Sequence, residues 1–352
     1  MIKLQRQVIR GIRAAGSAEE LHRYLQNAVE LEHSTIPPYL TAMFSLKPGT
    51  NLLIAQLIRS IVIQEMLHMS IAANILIAIG GHPQINRRAF IPKYPGTLPM
   101  NIGDGLVVGI EAFSIPLVQN TFMAIEEPEN PIPVKTQLVG AEAEAEPEYA
   151  TIGQFYDAIQ QQIVKLGPSI FVKPTAPPQV VSTEWFPADK LFPITDCESA
   201  CRAIEIIKRE GEGTSVTPYE SKGDPAHYYK FGEIAAGRGL VATPDGYAYA
   251  GAPIPFDESG VWPLRPNCKI ADFKVGTQAR TRIEQFAYSY GSLLNAMHEA
   301  FNGQPDRLDT AIGVMYDLRV VAVAMMQTDI GDGSGQTVGP SFEYIERQGG
   351  MP

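Results

Sequence analysis

Cysteine is almost missing from this chain: Cys197, Cys201 and Cys268 are the three present in 352 residues. Three thiols cannot build a full disulfide framework, so the core must hold the fold, and a reducing, cytoplasmic setting is the simpler expectation. Charge is also sparse, at 19% of residues, with a net charge of −10 and no basic block. That balance argues against nucleic acid or an anionic membrane as a partner. Residues 1–16 are basic but lack the apolar segment of a signal peptide, so a surface start is expected. The longest apolar stretch, around 71–79, is too short to cross a bilayer. No Walker A, G-x-S-x-G or strand-borne G-x-G-x-x-G motif occurs, so phosphate-cradle and serine-hydrolase chemistries have no support. No internal repeat is evident.

What is present is helical periodicity. Hydrophobic residues make up 45% of a length that suits one elaborated domain or two small ones. Ser17 and Glu20 form a capping-box signature for a helix that meets Pro37-Pro38, which is predicted to kink or interrupt it. A second helix is predicted over 51–79, stopped by Gly80-Gly81. Ser114 and Pro116 open a short helix over about 115–127, and the acidic tract in 128–149 reads as a solvated loop. A helix over about 150–166 follows, then a proline-rich segment over 168–194 with room for short strands. Thr195 and Glu198 suggest the cap of a helix ending at Gly211 or Gly213. Loop, hairpins and coil lead to a helical pair near 278–301 and 305–327. The fold class is mostly α, with a bundle over 17–235 and a hairpin and helical-pair region over 236–330 packed on it.

The chemistry concentrates in the second helix. Between residues 60 and 86 the ionisable side chains are Glu65, His68 and His82. At helical period Glu65 and His68 share a face with Ile54, Ile58, Ile61, Ala72, Ile75 and Ile79, so a carboxylate and an imidazole point into the core. An uncompensated buried charge costs several kcal/mol, and a bound metal is the commonest compensation for Glu-x-x-His. A buried ion pair is the plainer alternative. Glu32 lies on the inner stripe of the first helix with Leu21, Leu25 and Ala28, whereas His33 is turned about 100° away, towards the surface or the back of a ligand. Glu126 aligns with Phe122 and Val118 at a helix C-terminus, where the macrodipole disfavours an acid unless a cation is near. Glu205, Glu212 and His227 are weak signals by spacing alone, and the paired cysteines and flanking methionines read as core filler.

Taken in order, LEHSTIPPYLTAMFSL (31–46), IVIQEMLHMSIAANILIAIGGHP (61–83), FIPKYPGTLP (90–99), FMAIEEPE (122–129), TIGQFYDAI (151–159), REGEG (209–213) and HYYKFGEI (227–234) resemble the ferritin-like family named for iminophenyl-pyruvate dimer synthase. That family includes N-terminal parts of bisindole-pathway enzymes such as those of violacein. The resemblance implies a ferritin-like four-helix bundle with long irregular insertions, and a metal centre of Glu32, Glu65, His68, Glu126, Glu212 and His227. It implies two irons per chain, with manganese as the other candidate metal. One departure stands out: Glu212 and His227 are separated by a loop instead of forming Glu-x-x-His on one helix. The implied activity is a non-haem di-iron oxidase or oxygenase, a metal-dependent oxidoreductase using O₂ and a small amino-acid-derived metabolite, with oxidative imine coupling in secondary metabolism as one form. Segments 82–105 and 168–194 are expected to shape its pocket, with Tyr39, Phe122 and Tyr156 as wall candidates. An iron-handling ferroxidase, store or sensor is the alternative, and a metal-free structural bundle is a third. A homo-oligomer is left open; no nucleic-acid or membrane partner is expected.

Overall fold

A computed structural model describes residues 4–101, 105–135, 149–172, 178–220 and 223–345 of the chain. Strand β1 (Leu4–Gln5) and helix α1 (Arg6–Ala14) lead into α2 (Ala18–Ser45) and α3 (Leu52–Ala78). A helical run follows, made of α4 (Ile115–Leu117), one π-helical turn (Val118–Phe122) and α5 (Met123–Glu126). Next come β2 (Val134–Lys135), β3 (Tyr149–Ala150), α6 (Ile152–Leu166), α7 (Cys197–Glu212) and α8 (His227–Ala236). Strands β4 (Arg238–Thr243) and β5 (Gly246–Pro253) precede the final pair, α9 (Gln278–Phe301) and α10 (Arg307–Met326). The chain is mostly helical. Its sheets are small: β1 pairs antiparallel with β3, and β5 lies between β2 and β4.

Helices α2 and α3 are the spine. Contacts of His22 with the Ile79 carbonyl at one end and Thr35 with Glu65 midway show that they run antiparallel. Ser17 caps α2 by accepting from the Glu20 N–H, and Gly80, at φ 84°, ends α3. There the Gly81 and Gly80 N–H groups bond the Leu76 and Ile77 carbonyls, a Schellman stop. By length and composition α3 is a candidate membrane span, which the stretch 71–79 alone does not reveal. In the fold 83% of its most apolar window is buried, as in the central helix of a bundle. Helices α5, α6, α7 and α8 pack around this spine, and α9 and α10 pack on each other and reach α3 and α2. One continuous core of buried side chains runs from Ile9 to Tyr344.

Several expectations change. Pro37 and Pro38 do not break α2, which is continuous from Ala18 to Ser45. Each proline removes one i→i−4 bond; Pro38 thereby frees the Ser34 carbonyl. The Tyr94 hydroxyl donates to that oxygen at 2.7 Å, a replacement supplied by the 82–105 segment. The cap of α7 is Asp196, not Thr195, in a reciprocal box with Ser199. The start of the chain carries α1, and among the described residues 168–194 holds no strand. Most of the acidic tract in 128–149 lies outside the described residues.

Tyr94→Phe leaves the buried Ser34 carbonyl without its donor. The expected cost is about 1–3 kcal/mol in denaturant unfolding; an unchanged midpoint would show that another donor serves this carbonyl.

Candidate metal centre

The α2 stripe delivers Glu32, α3 delivers Glu65 and His68, the end of α5 delivers Glu126, and the first residue of α8 is His227. All five are buried. They form two groups: Glu32, Glu65 and His68, and Glu65, Glu126 and His227, the candidate ligand atoms within each lying within 4.8 Å of one another. Glu65 belongs to both. His68 Nδ1 lies 3.5 Å from Glu32 Oε2, and His227 Nδ1 lies 2.8 Å from Glu65 Oε1 and 3.5 Å from Glu126 Oε2. The two imidazoles stack at 5.5 Å between centroids.

Hydrogen bonds fix how these groups point. Tyr156 Oη donates to Glu32 Oε1, Tyr39 Oη donates to Glu126 Oε1 at 2.5 Å, and Thr35 Oγ1 lies 2.9 Å from Glu65 Oε2. Burial and the neighbouring carboxylates hold both phenols far above their ordinary pKa, so they remain donors. His68 Nε2 meets Glu210 Oε2 at 3.0 Å, and His227 Nε2 meets Gln64 Oε1 at 3.2 Å. Both partners accept, so both outer nitrogens carry the hydrogen and both Nδ1 lone pairs turn inward in the neutral rings. His227 Nδ1 is close to Glu65 but not aligned for a hydrogen bond, and is left without a partner. A buried, unpartnered nitrogen facing two carboxylates is a good fit to a metal ligand. Three carboxylates, two imidazoles and no thiolate suit iron or manganese better than a closed structural zinc.

Burial alone pushes Glu65 upward; with the charge of Glu126 it reaches about 7, despite the opposing pull of His227. Burial works against protonated His227, but Glu126 and Glu65 outweigh it and carry it up to about 9. His68 is likewise raised, against burial, by Glu210 and Glu32. Without metal these protons neutralise the site.

Glu212 joins neither group. The Gly153 N–H at the start of α6 donates to its Oε1 at 2.7 Å, and a Cβ at Gly153 would meet its Oε2 at 2.6 Å. Burial, then Glu129 and Asp157, raises it to about 7. It lines the same narrow cleft as Glu32, Glu65, His68 and Glu126. Glu210, two residues earlier, is the acid that meets a histidine. Its signal was legible: Ala200, Ala203, Ile204, Ile207 and Glu210 form the buried stripe of α7, and Glu205 and Glu212 fall off it. Exposed Glu205 pairs with Lys208. His33 is not at the surface; it is buried, bonded to Tyr290 Oη at 2.6 Å, packed 4.5 Å from Phe90, and pushed down to about 3 by burial.

The cleft encloses about 30 Å³ and is walled by Leu31, Ile125, Ile152, Tyr156 and Ile207. Of the three aromatics expected at its wall, Tyr156 is there, while Tyr39 and Phe122 pack with Phe231 in the core. Among the described residues, segments 82–105 and 168–194 contribute nothing to its lining. They act from behind instead, through Tyr94 on α2 and Lys190 on Glu210.

Carboxylates and imidazoles converging from four helical runs are the ferritin-like arrangement, and the ferritin-like family model matches residues 25–236. The chain belongs to the ferritin-like family. It is 25% identical over 317 residues, 82% of its length, to dichlorochromopyrrolate synthase of Lentzea aerocolonigenes, and spans about 30% of that relative's length. A solved ferritin-like protein from Caulobacter vibrioides shares the fold: TM-score 0.60, 22% identity, 92% of this chain and 97% of the other covered.

Metal binding requires unprotonated Nδ1 atoms and an ionised Glu65. Divalent-metal affinity of this ferritin-like chain is therefore expected to rise from about pH 6 to about pH 9, measured by equilibrium dialysis. Metal-free stability runs the other way. A raised folded pKa stabilises below the unfolded value, so the contribution of Glu65 is lost between about 4.5 and 7, and that of His227 between about 6.5 and 9. A pH-independent affinity would place the metal elsewhere.

Proposed function

We propose that this chain is a non-haem metalloenzyme, an oxidase or oxygenase that uses two iron ions and O₂ on a small amino-acid-derived metabolite. The observation that carries the reading is the sharing of Glu65 by two Glu/His groups whose imidazoles both turn Nδ1 inward. His68 and Glu32 would hold one ion, His227 and Glu126 the other, with Glu65 between them. Bound ferrous ions supply reducing equivalents for dioxygen. The protein's own part is to fix the ligands and exclude bulk water. Tyr39 and Tyr156 hold Glu126 and Glu32 by hydrogen bonds, and Leu31, Ile125, Ile152 and Ile207 keep the cleft narrow.

A cleft of about 30 Å³ has room for one or two waters or a dioxygen, not for an aromatic metabolite. An organic substrate would therefore react at the mouth, beside Glu127, Lys208 and Glu212. The Lentzea relative is named as a synthase of dichlorochromopyrrolate, which supports oxidative imine coupling as the reaction class to screen first. The small cleft equally favours a second reading, an iron-handling ferroxidase, store or sensor. Oxygen uptake separates the two: an oxidase consumes O₂ in proportion to added imine, a ferroxidase in proportion to added ferrous iron.

Metal analysis after anaerobic reconstitution tests the common ground. About two irons per chain are expected in the parent and none in Glu65→Ala; His68→Ala loses at least the ion it holds, and His33→Ala retains both. Equal metal content in all four proteins would remove this centre.

A further inference from the structure

The two imidazoles are held from behind by different chemistry. His68 Nε2 donates to a carboxylate, Glu210, which also receives the Lys190 ammonium. His227 Nε2 donates to a neutral amide oxygen, that of Gln64, which already accepts from Lys230 Nζ at 2.9 Å. Gln64 Nε2 donates to Glu220 Oε1 at 2.9 Å, which settles the amide orientation. Glu220 closes the chain, lying 3.4 Å from Lys190 and 3.5 Å from Lys230. A polar relay, buried at Glu210, Glu220 and the two histidines and half-buried at Lys190 and Gln64, thus runs from His68 through Glu210, Lys190, Glu220 and Gln64 to His227. Only one end presents a carboxylate to a ring N–H.

That difference acts on the opposite nitrogen. A carboxylate draws the Nε2 hydrogen and makes Nδ1 a stronger donor; an amide oxygen shared with an ammonium does so weakly. We infer that the two metal positions are inequivalent by construction: the position on His68 takes a divalent cation first and more tightly, and Glu210 is the positioning residue that sets this order. The inference rests on the metal-binding reading above. It also gives the irregular segments a purpose. Lys190 comes from a stretch clamped at Val180 by the Asn74 amide, through bonds of 2.7 and 3.0 Å, and at Ile194 by Gln179. Asn74 lies on α3, the helix of Glu65 and His68, so the stretch that carries Lys190 is registered to the ligands themselves.

The test is a titration of the metal-free full chain with Mn²⁺, following free Mn²⁺ by electron paramagnetic resonance. The parent is expected to bind in two unequal steps. Glu210→Gln is expected to keep both sites but weaken the tighter step by roughly 10–100-fold, drawing the two together. Glu210→Asp, which keeps the charge and withdraws the oxygen, weakens the same step and covers the case in which Glu210→Gln does not fold. Glu205→Gln, exposed on the same helix, changes neither step. Two equal steps in the parent, or equal weakening of both steps in the Glu210 variants, would overturn the inference while leaving the metal centre standing. No Mn²⁺ binding by the parent would overturn the metal reading and this inference with it.

Discussion

Glu65 sits where an apolar helix core should be, with two more carboxylates and two imidazoles drawn in around it. Two like charges 4 Å apart cost about 4 kcal/mol even at an effective dielectric near 20. Three such acids cannot all be ionised in a buried site without positive charge among them. Protons on His68, His227 and Glu65 supply neutralisation in the metal-free chain, and cations would supply it in the loaded one. Tyr39, Tyr156 and Thr35 aim the acids, and Glu210 and Gln64 aim the imidazoles. The surrounding polar groups are arranged in service of that one cluster.

Irregular backbone does the aiming. A π turn inserts one extra residue ahead of Glu126, shifting the face on which that acid emerges beside Tyr39. Glu126 also ends its helix, where the macrodipole opposes an acid, so its place there depends on the Tyr39 hydroxyl and on positive charge in the cluster. The Pro-Pro step in α2 follows Ser34 and Thr35, and the carbonyl it frees ties the 82–105 segment to the helix that carries Glu32. Long insertions in this chain buttress the ligands and leave the cleft narrow.

Much of this was legible in the residue pattern, because burial and period are local. Glu65 and His68 stand out in an apolar helix, Glu32 lies on a clean stripe, and Glu126 follows Val118 and Phe122 despite the π turn between them. The distinction between Glu210 and Glu212 is also present, in the Ala203–Ile207–Glu210 stripe, whereas the resemblance points to Glu212. Lys190 and Glu220 carried no such signal: they sit in proline- and glycine-rich segments without period, and tertiary contacts alone bring them to Glu210 and Gln64, the partners of the histidines. Continuity through Pro37-Pro38 was hidden for the same reason, since its compensation comes from Tyr94, far along the chain.

The most direct measurement is anomalous X-ray scattering from crystals soaked in Mn²⁺. Two peaks flanking the Glu65 carboxylate, one on His68 Nδ1 and one on His227 Nδ1, are the predicted result. A single peak away from Glu65, a peak on an outer Nε2, or none at all would contradict the shared-carboxylate centre.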